Sequence, residues 1–408
     1  MNIIIVGAGP AGVTVAETLR QESPLADITM LTGESHPPYA PPAMVDHFLT
    51  DSGRHNWRGF DWPDRTGVDY RPGTTVVSVD PARHSLKTAS GEDLGYDKLV
   101  LAAGSRLYAS PDRSDLDGIY NFKSLSAAQA LVDRARSGEA KTALIVGAGF
   151  IGIEIAMLLV ALGVQVTMVE MLDQVMPRAL DARTADIVLS TIRKKGVDVR
   201  LETEATAFVG ESQAEGVSLV SGETLAADLI VAATGLHPNI EFLSGSGIDV
   251  DWGVKVNDHL MTNATDVYAA GDLVEAPDRL TGVTYVHAIF PNAREQGRVV
   301  GLNLAGVDVS YEGADQMNSL KHLGLPIMVA GLKDGDEVLY RSTGWAHRTL
   351  YLKQNRLVGY QMVGDTTLAG VFRSLMNRQE DLTRFKDRLL DPTFGQGVLV
   401  WDAVGAPA

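Results

Sequence analysis

Apolar and polar positions alternate between two periods along this chain, and the places where the period changes define its layout. Residues 3–6, Ile-Ile-Ile-Val, form a continuous apolar run that predicts a short buried strand. The run meets Gly7-Ala8-Gly9-Pro10-Ala11-Gly12, after which residues 13–20 predict a helix and 27–31 a second strand ending near Glu34. The same order returns later. A strand at 143–146 runs into Gly147-Ala148-Gly149-Phe150-Ile151-Gly152, followed by a helix at 153–162 and a strand at 165–169 ending at Glu170. Two strand–glycine turn–helix–strand–acid units therefore stand 140 residues apart. One G-x-G-x-x-G is weak evidence, because glycine turns without ligands are common. Two in full context predict two dinucleotide sites.

The physical reading of each turn is the same. The first glycine permits a tight turn, the second lets backbone approach a pyrophosphate, and the third lets helix pack close to strand. The exposed N–H groups and the positive end of the helix dipole then hold the diphosphate. Glu34 lies 22 residues past Gly12, where an acid accepts hydrogen bonds from a ribose; the bland alternative is an ordinary surface glutamate.

The remaining pattern is mixed. Residues 36–42 are too proline-rich for helix or central strand, and 45–49 predict a short helix. Residues 51–69 form an irregular excursion carrying Trp57, Phe60 and Trp62, which read as anchors of a loop to the core in preference to the lining of a site. Segments 73–79, 84–89 and 94–101 predict a β-meander ending in Ala102-Ala103-Gly104-Ser105, a small-residue turn where backbone passes close to a ligand. A helix is predicted at 124–137, a second meander over 197–225, and a buried strand at 228–233 that closes on Thr234-Gly235. Another apolar strand, 266–270, ends in Gly271-Asp272, with a helix at 291–304 behind it. From about residue 313 the pattern turns to hairpin-like strands (338–340, 348–352, 356–362) and two short helices, 367–377 and 380–389.

Composition narrows the chemistry. A chain of 408 residues predicts roughly two to four domains. Its 45% hydrophobic content suits globular cores, and a net charge of −16 argues against nucleic-acid binding. There is no cysteine. Disulfides, thiolate nucleophiles and Cys-ligated zinc or iron–sulfur clusters are thereby excluded within this chain, and no metal site is predicted. The N-terminus lacks a basic region ahead of its apolar run, so no secretory signal is read there. The apolar stretch 143–162 contains three glycines and Glu154 and is better explained as strand–turn–helix than as a membrane span. A cytoplasmic protein without membrane contact is expected.

With these motifs in place, the chain resembles the pyridine nucleotide-disulfide oxidoreductase superfamily, in its ferredoxin and rubredoxin reductase branch. The markers are Gly7-x-Gly9-x-x-Gly12, residues 96–105 ending in Ala103-Gly104-Ser105, Gly147-x-Gly149-x-x-Gly152 with Glu154, Ala233-Thr234-Gly235, Gly271-Asp272, and Asn292-Ala293 within 292–297. The resemblance implies an α/β fold: two Rossmann-like, three-layer ββα dinucleotide-binding domains plus a C-terminal α+β interface domain. The FAD domain would be discontinuous (1–112 and 236–312), the NAD domain 113–235, and the interface or dimerisation domain 313–408. FAD would be held by Gly7, Gly9, Pro10, Ala11, Gly12, Glu34, Ala103, Gly104, Gly271, Asp272, Asn292 and Ala293. NAD(H) would be held by Gly147, Gly149, Phe150, Ile151, Gly152, Glu170, Thr234 and Gly235. Asp272 would accept from the flavin's ribityl hydroxyls, and the helix starting near Pro291 would aim its positive end at the flavin C2 carbonyl. Phe290 stands where relatives often carry tryptophan beside the flavin, and Glu154 matches a glutamate near the nicotinamide; both are the candidate catalytic positions. The bland reading of Glu154 is an exposed carboxylate near the start of a helix.

Three departures shape the functional expectation. The redox cysteines of the disulfide and oxidase relatives are absent, leaving flavin as the only evident redox centre. Pro41 and Asp46 stand where ferredoxin reductases often carry Arg and Lys after the tyrosine matching Tyr39. The cysteine-rich domains of nitrite-reductase relatives are not expected here, since the sequence holds no cysteine. Glu170 should pair with a 2′-hydroxyl and repel a 2′-phosphate, and Met171-Leu172 offers no arginine clamp, so NAD(H) is expected over NADP(H). Residues 341–390 hold nine Arg and Lys against four Asp and Glu, within a chain whose net charge is −16. Cations such as Arg373, Arg378 and Arg384 would steer an acidic carrier, or simply solvate a helix face. The expected function is an FAD-dependent NAD(H) oxidoreductase exchanging electrons with an iron–sulfur or rubredoxin-like carrier. A place as the NAD-reducing flavin subunit of an aldehyde or 2-oxoacid oxidoreductase follows from the same parts. Two alternatives are a self-contained NADH-dependent flavoenzyme acting on a small molecule or oxygen, and a structural or signalling flavoprotein with redox-dependent assembly. A homodimer or a heteromeric complex is the expected state.

Overall fold

The opening apolar run, Asn2–Val6, is the middle strand of a parallel five-stranded sheet in the computed structural model, which describes residues 1–395. The sheet order is Val267–Ala269, Lys98–Leu101, Asn2–Val6, Asp27–Leu31, Asp69–Arg71, and every neighbouring pair is parallel. Ile3, Ile5, Met30, Leu31, Leu99, Val100 and Leu101 are all at 0% exposure. Burial on both faces explains why these strands read as continuous apolar runs without alternation.

The helices, in chain order, are α1 (Pro10–Glu22), α2 (Met44–Thr50), α3 (Trp62–Thr66), α4 (Leu125–Arg136), α5 (Phe150–Ala161), α6 (Ala182–Lys194), α7 (Phe290–Leu304) and α8 (Ala369–Asn377). The chain divides into two compact units. The first comprises Met1–Lys141, Gly210–Ala214 and Leu229–Asp315; the second comprises Thr142–Val209, Glu215–Asp228 and the described residues from Gln316 onward.

In the first unit, α1 and α7 pack at backbone distance. A Cβ on Gly297 would stand 2.5 Å from the Ala11 carbonyl, and one on Gly301 would stand 2.7 Å from Thr18 Cβ. The excursion after α2 is stapled to α1 through Glu17, which accepts from Trp62 Nε1 at 2.9 Å and from Arg58 at 2.7 Å. Trp62 is 1% exposed and Phe60 is 73% exposed, so the first is an anchor and the second is not.

The predicted meander is corrected at its last strand. Val76–Asp80, Ser85–Thr88 and Asp93–Gly95 form a three-stranded antiparallel sheet, whereas Lys98–Leu101 leaves it and pairs with Asn2–Val6. The pattern across 94–101 contains both signals: Leu94 is half-buried between exposed neighbours, while Leu99, Val100 and Leu101 are buried in succession.

In the second unit, Thr142–Val146, Gln165–Val169 and Asp198–Arg200 are neighbouring parallel strands. The start of the expected second meander thus belongs to a parallel sheet, and Ala205–Val209, Gly216–Leu219 and Thr224–Ala226 form the antiparallel part. After residue 316 the order Met317–Leu320, Ile327–Gly331, Arg356–Val363, Ala346–Lys353, Glu337–Thr343 makes an antiparallel sheet, with α8 on the Arg356–Val363 strand. The helix expected at 380–389 is absent; a 3-10 turn at Lys386–Arg388 stands in its place. The N–H groups of Phe385, Arg388 and Leu389 bond to the carbonyls three residues back, so the segment closes in successive tight turns in place of an α-helix, while the Leu382 N–H anchors it to the Asn355 carbonyl.

Candidate functional site

Each glycine turn ends a parallel strand and opens a helix. In the first unit Gly7 has φ +115°, and a Cβ there would stand 2.0 Å from the Ala102 carbonyl oxygen. Gly12 is as confined, its Cβ position lying 2.1 Å from the Gly7 oxygen. Gly9 differs: it is the N-cap of α1, no side chain caps the helix, Pro10 occupies the first turn, and nothing lies within 4 Å of its Cβ position. The first N–H groups of α1, next to Ala11, therefore face an open approach without a side-chain acceptor.

The expected acid at the end of the second strand is engaged. Glu34 accepts from the Tyr39 hydroxyl and, at 3.1 Å, from the Ser126 N–H in the first turn of α4. The Tyr39 oxygen in turn accepts the Leu125 N–H at 3.0 Å. Burial, then the Glu34 charge, pushes the Tyr39 phenol well above its ordinary range. An ionised carboxylate has about four acceptor positions, so Glu34 retains capacity for a ribose.

Asp272 follows Gly271, whose N–H donates to Gln296 at 2.7 Å. Its carboxylate receives Lys123 Nζ at 2.8 Å and Ser105 Oγ at 3.1 Å, and both charged side chains are less than a fifth exposed. Ala103 and Gly104 adjoin this group, their carbonyls accepting from Asn239. Asn292 is buried, and its amide bonds the Asp315 backbone on both sides, at 2.9 and 3.1 Å. That clamp sets the start of α7, which has no side-chain cap; Ala293 is buried beside it. Phe290, the first residue of α7, meets Trp57 edge-on at 5.2 Å. Arg58 and Arg294 lie over the Trp57 ring at 4.0 and 5.4 Å. Thr234 and Gly235, expected at the NAD site, belong to this unit and are tied to Tyr108 and Ser110.

Three buried side-chain atoms here, Trp57 Nε1, Arg58 Nε and His287 Nε2, have no hydrogen-bond partner among the described residues. Burial also holds the His287 imidazole below its usual pKa. Orphaned groups of this kind point to a polar ligand. Together with the uncapped α1, the Lys123–Asp272 pair and the start of α7, they fit the diphosphate, ribityl chain and ring of FAD.

In the second unit Gly147 has φ +104° and Gly149 is the extended N-cap of α5, again uncapped by any side chain and with nothing within 4 Å of its Cβ position. Phe150 and Ile151 are half-buried, and Gly152 is buried. Glu170, only 9% exposed, accepts from the Ala148 N–H at 2.9 Å and the Leu172 N–H at 3.1 Å. It braces the glycine turn itself. The flanking Met171 and Leu172 side chains are exposed. Glu154 on α5 is bound by the Lys321 N–H and the His322 ring. The arrangement fits an adenosine diphosphate end carrying a free 2′-hydroxyl.

Lys123 and His322 are not legible as site residues, because their partners are remote in sequence and no local spacing marks them; Ser105 and Gln296 lie within marked motifs, but their bonds to Asp272 and to the Gly271 N–H are not legible there. Among the described residues no three His, Asp or Glu side chains gather as a metal set, and no helix is long and apolar enough to cross a membrane.

A model of the pyridine nucleotide-disulphide oxidoreductase family matches residues 1–297. The NADH-dependent phenylglyoxylate dehydrogenase subunit epsilon of Aromatoleum evansii is 30% identical, over 95% of this chain and 94% of its own length. The rubredoxin-NAD(+) reductase of Pseudomonas putida is 30% identical, over 89% of this chain and 96% of its own. A ferredoxin reductase from Rhodopseudomonas palustris has a similar structure, with a TM-score of 0.83 at 27% identity, covering 93% of this chain and 95% of that one. Some relatives are longer: the chain spans 51% of the assimilatory nitrate reductase electron transfer subunit of Bacillus subtilis.

Proposed function

The chain belongs to the pyridine nucleotide-disulphide oxidoreductase family, and from that premise we propose that it serves as the NAD-reducing flavin subunit of a 2-oxoacid or aldehyde oxidoreductase complex, exchanging electrons with an iron–sulfur or rubredoxin-type partner. It is an FAD-dependent NAD(H) oxidoreductase with two Rossmann-like domains. The observation that carries the proposal is the combination of two open glycine turns with a chain that has no cysteine. Both nucleotides have a place, and no dithiol is present to receive electrons from the flavin.

Bound FAD supplies the chemistry that takes up a hydride and releases single electrons. The residues described here bind and orient. The N-terminus of α1 holds one diphosphate and that of α5 the other. Glu34 and Glu170 accept ribose hydroxyls. Lys123 neutralises Asp272 while Ser105 orients it, leaving acceptor positions for the ribityl chain. The start of α7, fixed by Asn292, presents its positive end to the flavin ring, and Phe290 packs against that ring. Thr234 and Gly235, the three-domain division with residues 113–235 as the NAD domain, and a cytoplasmic setting are part of the same proposal.

The carrier is drawn by cations of the C-terminal region. Arg378, Arg384 and Arg388 are exposed, whereas Arg373 is half-buried on α8 and is unsuited to steering. Similarity to the epsilon subunit over nearly the full length of both chains supports the complex-subunit reading. The test is NADH oxidation by the purified FAD-loaded protein with a dye, with oxygen, and with added ferredoxin or rubredoxin. Fast dye and carrier reduction with slow oxygen consumption is expected, and the triple variant R378A/R384A/R388A should lower only the carrier rate. Full turnover with oxygen alone, or no reduction of any iron–sulfur carrier, overturns the proposal.

A further inference from the structure

Glu154 is the fifth residue of α5, so its Cα stands ~6 Å along the axis from the first residue of the helix. Helical side chains lean toward the N-terminus, which brings the carboxylate toward the end that faces a diphosphate. An uncommitted carboxylate near that end repels an anionic ligand wherever the two charges come within the roughly 8 Å screening length.

The structure commits both of its oxygens. Oε1 accepts the Lys321 N–H at 2.9 Å, and Oε2 is bonded to His322 Nδ1. A carboxylate only accepts, so Nδ1 carries the proton of that bond. The two side chains are 18% and 13% exposed, which shields the pair from water and salt. Lys321 and His322 directly follow the strand Met317–Leu320, which packs on α5. Two consecutive residues from one strand end thus clip a single helical carboxylate from both sides.

We infer that His322 is a positioning residue of the pyridine-nucleotide site: it draws the Glu154 carboxylate into a hydrogen bond and holds it so that the N-terminus of α5 accepts an anionic dinucleotide. This rests on the reading of α5 as the NAD(H)-binding helix. In that reading the loop after Met317–Leu320 contributes to nucleotide affinity without touching the glycine turn.

The test is calorimetric titration of NAD+ into the FAD-loaded protein, with thermal melting of each variant read alongside. H322L should raise the Kd by about three- to tenfold. H322N, whose amide nitrogen replaces Nδ1 as donor, should stay within about twofold of the parent, while H322Q, which moves the donor to the far side of the ring position, should weaken binding as H322L does. The double variant E154Q/H322L should bind within about twofold of E154Q alone, because no charge remains to be held. Should H322L fail to fold, the contrast between H322N and H322Q gives the same answer. Parent-like binding by H322L or H322Q, an H322N as weak as H322L, or additive losses in the double variant would overturn the inference. Absence of NAD+ binding by the parent protein would instead overturn the reading of α5, and this inference with it.

Discussion

Replacing Gly149 by alanine should separate nucleotide binding from folding. Gly149 is an extended N-cap (φ −81°, ψ −175°), a conformation any residue adopts, and nothing lies within 4 Å of its Cβ position. The folded state therefore meets no clash. The entropy removed from the unfolded chain stabilises by about 0.4–1 kcal/mol, and the loss of glycine as a cap costs a similar few tenths to 1 kcal/mol. These effects nearly cancel, which keeps the Tm within about 2 °C. A diphosphate approaching the first N–H groups of α5 meets the new methyl instead. Loss of one or two charge-assisted hydrogen bonds, about 1.5–3 kcal/mol, raises the Kd for NAD+ roughly 10- to 150-fold. Gly149 is preferable to Gly9 for this purpose, because losing a resident FAD would itself lower the Tm by linkage. Gly12→Ala is the contrasting control: its Cβ would stand 2.1 Å from the Gly7 oxygen and 3.1 Å from Ile5 Cγ2, so it should cost about 2–3 kcal/mol of stability. Calorimetric NAD+ titration and thermal melting read the two quantities. A G149A variant that binds NAD+ like the parent, or melts more than about 5 °C lower, refutes the reasoning.

Three further outcomes follow. Glu170→Ala strips the Ala148 and Leu172 N–H groups of their buried acceptor, so the Tm should fall by the equivalent of about 2 kcal/mol and the NADH-over-NADPH ratio of kcat/KM should shrink; an unchanged ratio would show that the carboxylate does not read the ribose. Lys123→Met leaves Asp272, less than a fifth exposed, with Ser105 as its remaining partner among the described residues, and FAD release, followed by fluorescence after dilution, should speed about tenfold or more, since a hydrogen bond to a charged group is worth about 1.5–3 kcal/mol. Release at the parental rate would exclude Lys123 from the FAD site. His259 is held between Asp258 and Asp308, each at 2.7 Å, and these two hydrogen bonds raise its pKa above 6.5 in the folded state. Its stabilisation is then complete below pH 6.5 and is lost as the pH rises through the folded pKa. The Tm advantage over H259Q should be largest near pH 6 and shrink toward alkaline pH; an advantage that grows with pH would contradict the assignment.

The residues that could be read without a structure are those whose role is set by their immediate neighbours. Ile3 to Val6 had to be a buried strand and Gly7 a special turn, because an apolar run followed by glycines at fixed spacing leaves few alternatives, and the same holds for 143–152. The absence of cysteine settled which redox chemistry the chain lacks before any fold was known. Other outcomes depended on partners far along the chain. The 94–101 run breaks in two because Lys98–Leu101 is recruited by Asn2–Val6, and the 380–389 segment closes in tight turns with its Leu382 N–H anchored to Asn355. Lys123 has no local signature, and it becomes a site residue only where folding brings it to Asp272. Glu154 was visible as a candidate, yet its environment was decided by His322, 168 positions away. Local sterics and periodicity write the glycine turns into the sequence; which charge meets which carboxylate is a property of the closed fold, since hydrogen bonds and ion pairs act over a few ångströms of space and leave no trace in sequence spacing.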